Sequence, residues 1–158
     1  AAAARAPVGP EGEGGGELHG RRDREKGGTA ARPVVALELH NLNSALEAAA
    51  GQPETALGLV AYARKNLRGQ LSINFHNTAL RCLARGAAAA REAGAPPAEL
   101  ARWAAAAEGV LLGARADGHA PNVFTLTPLK AVLAGACGRG DRYRELTAGV
   151  SGELLASI

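Results

Sequence analysis

The chain has 158 residues, of which 47% are hydrophobic but only 3% aromatic, and 18 Lys and Arg against 15 acids give a net charge of +3. Much of the apolar content is Ala, which has the highest helix propensity and lets helices approach closely, whereas a sheet needs more β-branched and aromatic residues. We therefore predict one all-α domain. The small positive charge permits nucleic-acid binding without indicating it strongly.

Residues 1–34 form a predicted low-complexity N-terminal arm, rich in Gly, Ala, Pro and charges of both signs. Such a composition cannot bury enough apolar surface to fold alone. Its acidic residues distinguish it from organelle transit peptides, which are poor in acids. Because the chain contains no Met, we expect a processed or truncated product in which this arm remains after processing.

Apolar periodicity and Gly-Pro turns divide residues 35–158 into six predicted helices. These cover about 35–50, 53–66, 74–93, 97–116, 125–138 and 141–155. Trp103 falls on the apolar stripe of the fourth helix and is predicted to lie in the core. Gly149 and Gly152 weaken the last helix, because Gly loses more backbone entropy in a helix than any other residue.

Catalytic, metal-binding and membrane-spanning patterns were sought, and none is recognisable in the sequence. Cys82 and Cys137 lack a metal-ligand spacing and are predicted to be reduced and buried within helices. His40 and His76 are out of register with each other, which predicts separate packing or surface roles. No phosphate loop or nucleophile spacing occurs, and no apolar run reaches membrane-spanning length without a charge. We therefore predict no enzyme activity, no cofactor, no metal and no membrane insertion.

A short sequence repeat indicates the architecture. Asn-Ser-Ala-Leu at 43–46 recurs as Asn-Thr-Ala-Leu at 77–80, thirty-four residues later. This period is the length of one helix-turn-helix unit of a solenoid, in which each unit buries its apolar face by stacking on the next. We predict an α-solenoid of about three helix pairs. The predicted units are about 38–72, 73–122 with an insertion around 87–97, and 123–158.

Three segments resemble the pentatricopeptide repeat. Residues 121–129, followed by a Gly-containing turn at 135–141, resemble the start of one repeat; residues 75–80 resemble the same helix, and 40–46 form a third copy. Pro128 within the first turn of a helix departs from the family pattern. The octotricopeptide repeat, with a longer period and Pro-rich turns such as 95–97, is an alternative. Both families imply an α-solenoid.

The pentatricopeptide resemblance implies single-stranded RNA binding in an organelle, with one base read per repeat by two side chains. The implied base-facing residues are Asn43 with Ser72, Asn77 with Asn122, and Thr127 with an unidentified later position. Arg81 and Arg85 are the candidates for contacting backbone phosphates. The alternative for Asn43 and Asn77 is a structural role at the start of a helix, where Asn commonly caps the chain.

Two functions remain open from the sequence. One is a non-catalytic organellar RNA-binding protein, preferably a structural component of an organellar ribosome, with the mitochondrion as first choice and the plastid as second. The alternative is a protein-binding α-solenoid adaptor in another multi-subunit complex. Arginines that converge on one face would favour RNA, and scattered arginines would favour protein. The arginines concerned are Arg64, Arg68, Arg81, Arg85 and Arg102.

Overall fold

The computed structural model describes residues 33–67 and 69–158. All regular elements in these residues are helices, which confirms the all-α prediction. They are α1 (Pro33–Ala48), α2 (Pro53–Asn66), α3 (Ile73–Glu92), α4 (Pro97–Ala116), α5 (Val123–Lys130), a π-helical segment (Ala131–Ala136), α6 (Gly140–Thr147) and α7 (Gly152–Ala156). The predicted arm lies outside the described residues up to position 32. Its last two residues belong to α1 instead, because Pro is well suited to a first helical turn.

The helices pack as two layers. Helix α1 contacts α3 and α3 contacts α5 in one layer, while α2 contacts α4 in the other; α6 packs on the π-helical segment and α5. The pairs α1/α2 and α3/α4 also pack internally, as expected for stacked helix-turn-helix units. Among the described helices, none has both the length and the hydropathy that crossing a membrane requires.

Helix α3 lies at the centre of the fold and contacts α1, α2, α4, α5 and the π-helical segment. Phe75, Ala79 and Leu80 on this helix are fully buried. Trp103 of α4 is 2% exposed, which confirms its predicted place in the core. Both faces of α3 therefore bury side chains, and its position determines how α5 is held.

The two cysteines differ in their surroundings. Cys82 on α3 is buried, as predicted. Cys137 is only half-buried, so the prediction of a buried thiol is wrong there; the thiol donates to the Leu100 carbonyl at 3.1 Å. Burial raises the pKa of the Cys137 thiol, so it stays protonated at neutral pH. Both side chains are free thiols.

The predicted last helix is wrong in one respect, because two short helices replace it. Helix α6 ends at Thr147, whose hydroxyl donates to the Tyr143 carbonyl at 2.8 Å. A break follows around Gly149, and the Ser151 side chain then caps α7 by accepting from the Leu154 amide. Side-chain capping and the low helix propensity of Gly together divide the segment.

The last turn of α3 anchors α5. This helix is twenty residues long, and Arg91 lies in its last turn. The Arg91 guanidinium donates to the carbonyls of Gly135 and Ala136, with an Nη1–O distance of 2.9 Å to Ala136. These carbonyls end the π-helical segment and lack ordinary helical partners. The last turn of α3 therefore holds α5 and its extension against the core.

Candidate functional site

Two adjoining cavities open between α3 and α5, and Arg81 and Phe124 line both. We call the first, of about 610 Å³, the apolar compartment; Ala84, Val123, Pro128 and Ala131 form much of its wall. We call the second, of about 320 Å³, the polar compartment; Asn74, Asn77 and Thr78 line it together with the two shared residues. One groove thus offers an apolar surface beside hydrogen-bonding groups.

Phe124 stands at the junction of the two compartments and is 70% exposed. Its place depends on the capping box of α5, in which the Thr125 amide donates to Asn122 Oδ1 at 3.1 Å and the Asn122 amide donates to Thr125 Oγ1 at 3.2 Å. An exposed Phe is notable in a chain that has only two. It marks a surface available for stacking or apolar contact.

Sequence reasoning missed Phe124, although a usable signal exists. The buried face of α5 and its extension includes Leu126, Leu129 and Leu133, at helical spacing. Phe124 and Thr127 fall on the opposite face and are exposed. A large aromatic residue on the polar side of an amphipathic helix could have been recognised as a contact residue.

Asn77 and Asn122 come together, as the repeat resemblance implies, with Asn77 Nδ2 donating to Asn122 Oδ1 at 3.5 Å. Asn77 Oδ1 also accepts from the Thr125 hydroxyl at 2.7 Å. Asn77 is the fifth residue of α3, so the alternative that it starts the helix is wrong. Asn122, in contrast to Asn77, does cap a helix, because it is the N-cap residue of α5. Much of both amides is therefore engaged in holding α5 to α3.

The other implied base-facing residues differ in position. Thr127 is exposed and lines the apolar compartment. Ser72 occupies the N-cap position of α3, and neither it nor Asn43 lines the groove. Asn43 lies well inside α1 rather than at its start, and its Oδ1 is buried without a hydrogen-bond partner among the described residues. The groove therefore involves only part of the implied set.

Arg81 and Arg85, the predicted phosphate contacts, both line the apolar compartment. Arg81 pairs with Glu47 of α1 at 3.5 Å, and both side chains are more than half exposed. Arg81 also donates to the Thr78 hydroxyl at 3.3 Å. Arg85 approaches the Cys82 sulfur at 3.8 Å, a weak contact that leaves most of its donors available. The two guanidiniums form a modest basic margin.

The other two described arginines lie elsewhere, so the four described ones do not converge on one face. Arg102 of α4 pairs with Glu54 of α2. Arg64 of α2 lies 4.0 Å from the Asp117 carboxylate. Arg68 is outside the described residues. The four described arginines therefore divide between the odd-numbered and the even-numbered helices.

No protein-family model matches this chain, and neither curated proteins nor solved structures gave a match. The resemblance to pentatricopeptide repeats thus depends on the residues of the sequence alone. Functional assignment depends on the chemistry of the groove between α3 and α5.

Proposed function

We propose that the chain is a non-catalytic RNA-binding helical-repeat protein that holds a short single-stranded segment in the groove between α3 and α5. The observation that carries this proposal is the exposed Phe124, which lies between a polar compartment and two arginines. Proteins bind single-stranded nucleic acid by stacking bases on aromatic rings and meeting the phosphates with basic side chains. This groove offers both, with Phe124 on α5 and the two arginines on α3.

Each side chain has a defined role in this proposal. A base enters the polar compartment and stacks on Phe124, while the Asn74 amide, which is exposed, offers hydrogen bonds to its edge. Asn77, at the floor of the compartment, is partly engaged by Thr125 and therefore contributes less. Thr127 offers its hydroxyl on the other side of Phe124.

The phosphates are assigned to Arg81 and Arg85. The ion pair between Arg81 and Glu47 does not prevent this, because an exposed pair contributes only about 0 to 1 kcal/mol. Two phosphate contacts to a single strand give a dependence of log K on log salt with a slope of roughly −1.4. Arg85→Gln should reduce that slope by about half. If RNA were bound through apolar contacts alone, the slope would already be near zero for the natural chain.

The cellular setting is proposed from the repeat resemblance. Three repeats would contact few bases, which suits a protein that clamps RNA inside a large particle better than one that selects a target by itself. We therefore propose a structural component of a ribonucleoprotein such as an organellar ribosome, in the mitochondrion first and the plastid second. The decisive experiment is sedimentation of the native chain from cell extract, before and after nuclease treatment. Migration with ribosome-sized particles that collapses on RNA digestion is the expected result.

Replacing Phe124 by Ala should weaken RNA binding roughly 5- to 150-fold, because loss of one stacked base costs about 1 to 3 kcal/mol. Fluorescence anisotropy with a short single-stranded RNA measures the change, and circular dichroism checks that the fold persists. Tyr62→Ala is the matched control, since Tyr62 is a half-exposed aromatic residue on α2. If Phe124→Ala and Tyr62→Ala bind RNA with equal affinity, Phe124 is not part of the binding surface.

Replacing Asn77 by Ala should weaken binding to one RNA sequence more than to others. The repeat resemblance favours a pyrimidine, so the loss should be larger for an oligopyrimidine than for an oligopurine of equal length. Asn66→Ala provides a control, because that amide is exposed on α2. An equal loss for both RNAs would assign Asn77 to the packing of α3 against α5.

The alternative of a protein-binding adaptor is favoured by one specific observation. The arginines separate between the two layers, and the larger compartment is walled mainly by apolar side chains. Such a surface suits an amphipathic helix of a partner protein. A small complex that survives nuclease treatment in the sedimentation experiment would support this function over RNA binding.

A further inference from the structure

The loop between α4 and α5 is fastened to the beginning of α3 at three points. His76 Nε2 lies 3.0 Å from Asp117 Oδ2, His119 Nε2 lies 2.6 Å from the Leu71 carbonyl, and Asn77 bonds Asn122. Asn122 then caps α5, which carries Phe124. The position of one wall of the polar compartment therefore depends on two histidines.

His76 is fully buried, and its hydrogen bond to Asp117 defines the tautomer of the neutral ring. A carboxylate only accepts, so Nε2 donates to Asp117 and Nδ1 carries the lone pair. Nδ1 is itself buried and has no hydrogen-bond partner among the described residues. Adding a proton there would create a buried N–H without an acceptor, which is costly.

Two of the neighbouring groups, His119 and Arg64, also oppose a second proton on His76, whereas the Asp117 carboxylate favours it. Asp117, at the end of α4, faces His76. The ring centroid of His119, which is in the loop, lies 5.8 Å from that of His76, and Arg64 of α2 reaches Asp117. Burial lowers the pKa of His76 most strongly; Asp117 partly opposes this effect, while His119 and Arg64 add to it. Protonation of His76 would place its charge near that of Arg64, with the Asp117 carboxylate as their shared partner.

We propose that His76, His119 and Asp117 form a proton-sensitive latch that positions Asn122 and Phe124 against α3. In the latched state His76 is neutral and the polar compartment keeps its shape. Protonation of His76 breaks the latch, the loop moves away from α3, and the compartment loses its wall. The loosening depends only on the cluster, whereas its effect on RNA binding rests on the proposed function.

The direction in which the stability of the latch changes with pH follows from proton linkage. Because the pKa of His76 is depressed in the latched state, the unlatched and unfolded states bind more protons at mildly acidic pH. The latch is therefore fully stable above about pH 6.5, the ordinary His value, and weakens as the pH falls below it. Uptake of one proton limits the change to about tenfold per pH unit.

The test follows the Thr125 amide, which donates to Asn122 Oδ1 at 3.1 Å, by hydrogen exchange and NMR from about pH 5 to about pH 8. After correction for intrinsic exchange, its protection should fall below about pH 6.5, by up to about tenfold per unit. His76→Gln keeps an N–H donor without a titratable charge, so its protection should lose this pH dependence. His40→Gln, which changes an exposed histidine on α1, should respond like the natural chain.

Two outcomes would overturn the latch: pH-independent protection in the natural chain, or an unchanged response in His76→Gln. If His76→Gln does not fold, the His76 ring titration in the natural chain decides, since Thr125 protection must be lost over the pH range in which that ring becomes protonated. RNA anisotropy across the same pH range separates the two proposals. Loss of protection without RNA binding at any pH would leave the latch standing and the proposed function refuted.

Discussion

Replacing Ala79 by Asp is expected to unfold the chain. Ala79 is fully buried on α3, the helix that contacts most of the others, so the new carboxylate would have neither water nor a cation beside it. An uncompensated buried charge costs about 3 to 5 kcal/mol when one partner of a buried pair is removed. Whole domains are stable by only about 5 to 15 kcal/mol. Circular dichroism with urea denaturation measures the outcome.

Ala88→Asp is the matched control for this change. Ala88 lies on the same helix but is exposed, so its carboxylate stays hydrated. We expect a loss of stability under about 1 kcal/mol, within the range of ordinary surface substitutions. Similar stabilities for the two variants would show that the face of α3 assigned to the core is wrong.

Replacing Gly86 by Ala is expected to destabilise the fold by about 1 to 3 kcal/mol, although Ala normally favours a helix. A Cβ added at Gly86 would overlap the six-membered ring of Trp103. That ring is 2% exposed and is enclosed by the core, so it cannot move aside without disturbing its neighbours. The change in the free energy of unfolding can be read from urea denaturation.

Gly109→Ala isolates the steric effect. Gly109 is also inside a helix, α4, but a Cβ there would meet nothing within 4 Å. This substitution should stabilise the chain by up to about 1 kcal/mol, so the two Gly→Ala changes are expected to have opposite signs. Combining Gly86→Ala with Trp103→Leu should cost less than the sum of the two single changes, since the smaller side chain removes the overlap. If both Gly→Ala variants are equally stabilised, the close packing of α3 on α4 is contradicted.

Much of the fold could be predicted from local signals. The bounds of α2 and α4 are those predicted, because each begins with a Pro in its first turn. The division of the last helix was missed because its cause is a side-chain cap at Ser151, which competes with helix continuation. The low helix propensity of the glycines predicted a weakened helix there, but it did not predict the cap that divides it.

The candidate site was only partly predictable. Arg81, Arg85 and Thr127 were named from the sequence and do line the groove. Phe124 was missed, since the repeat resemblance directed attention to polar positions. The partners of Asn77 were missed because a sequence pattern does not show whether an amide faces a ligand or another residue of the same chain.

The sequence by itself determined the helical class and most helix boundaries, because propensity, turn residues and apolar spacing act within a few residues of one another. Only the tertiary structure decided that Asn77 bonds Asn122 and Thr125, and that a buried His76 meets Asp117. The partners in each of these contacts are more than forty residues apart along the chain. The physical reason is that packing of α3 against its neighbours, which no local pattern specifies, brings those side chains within hydrogen-bonding distance.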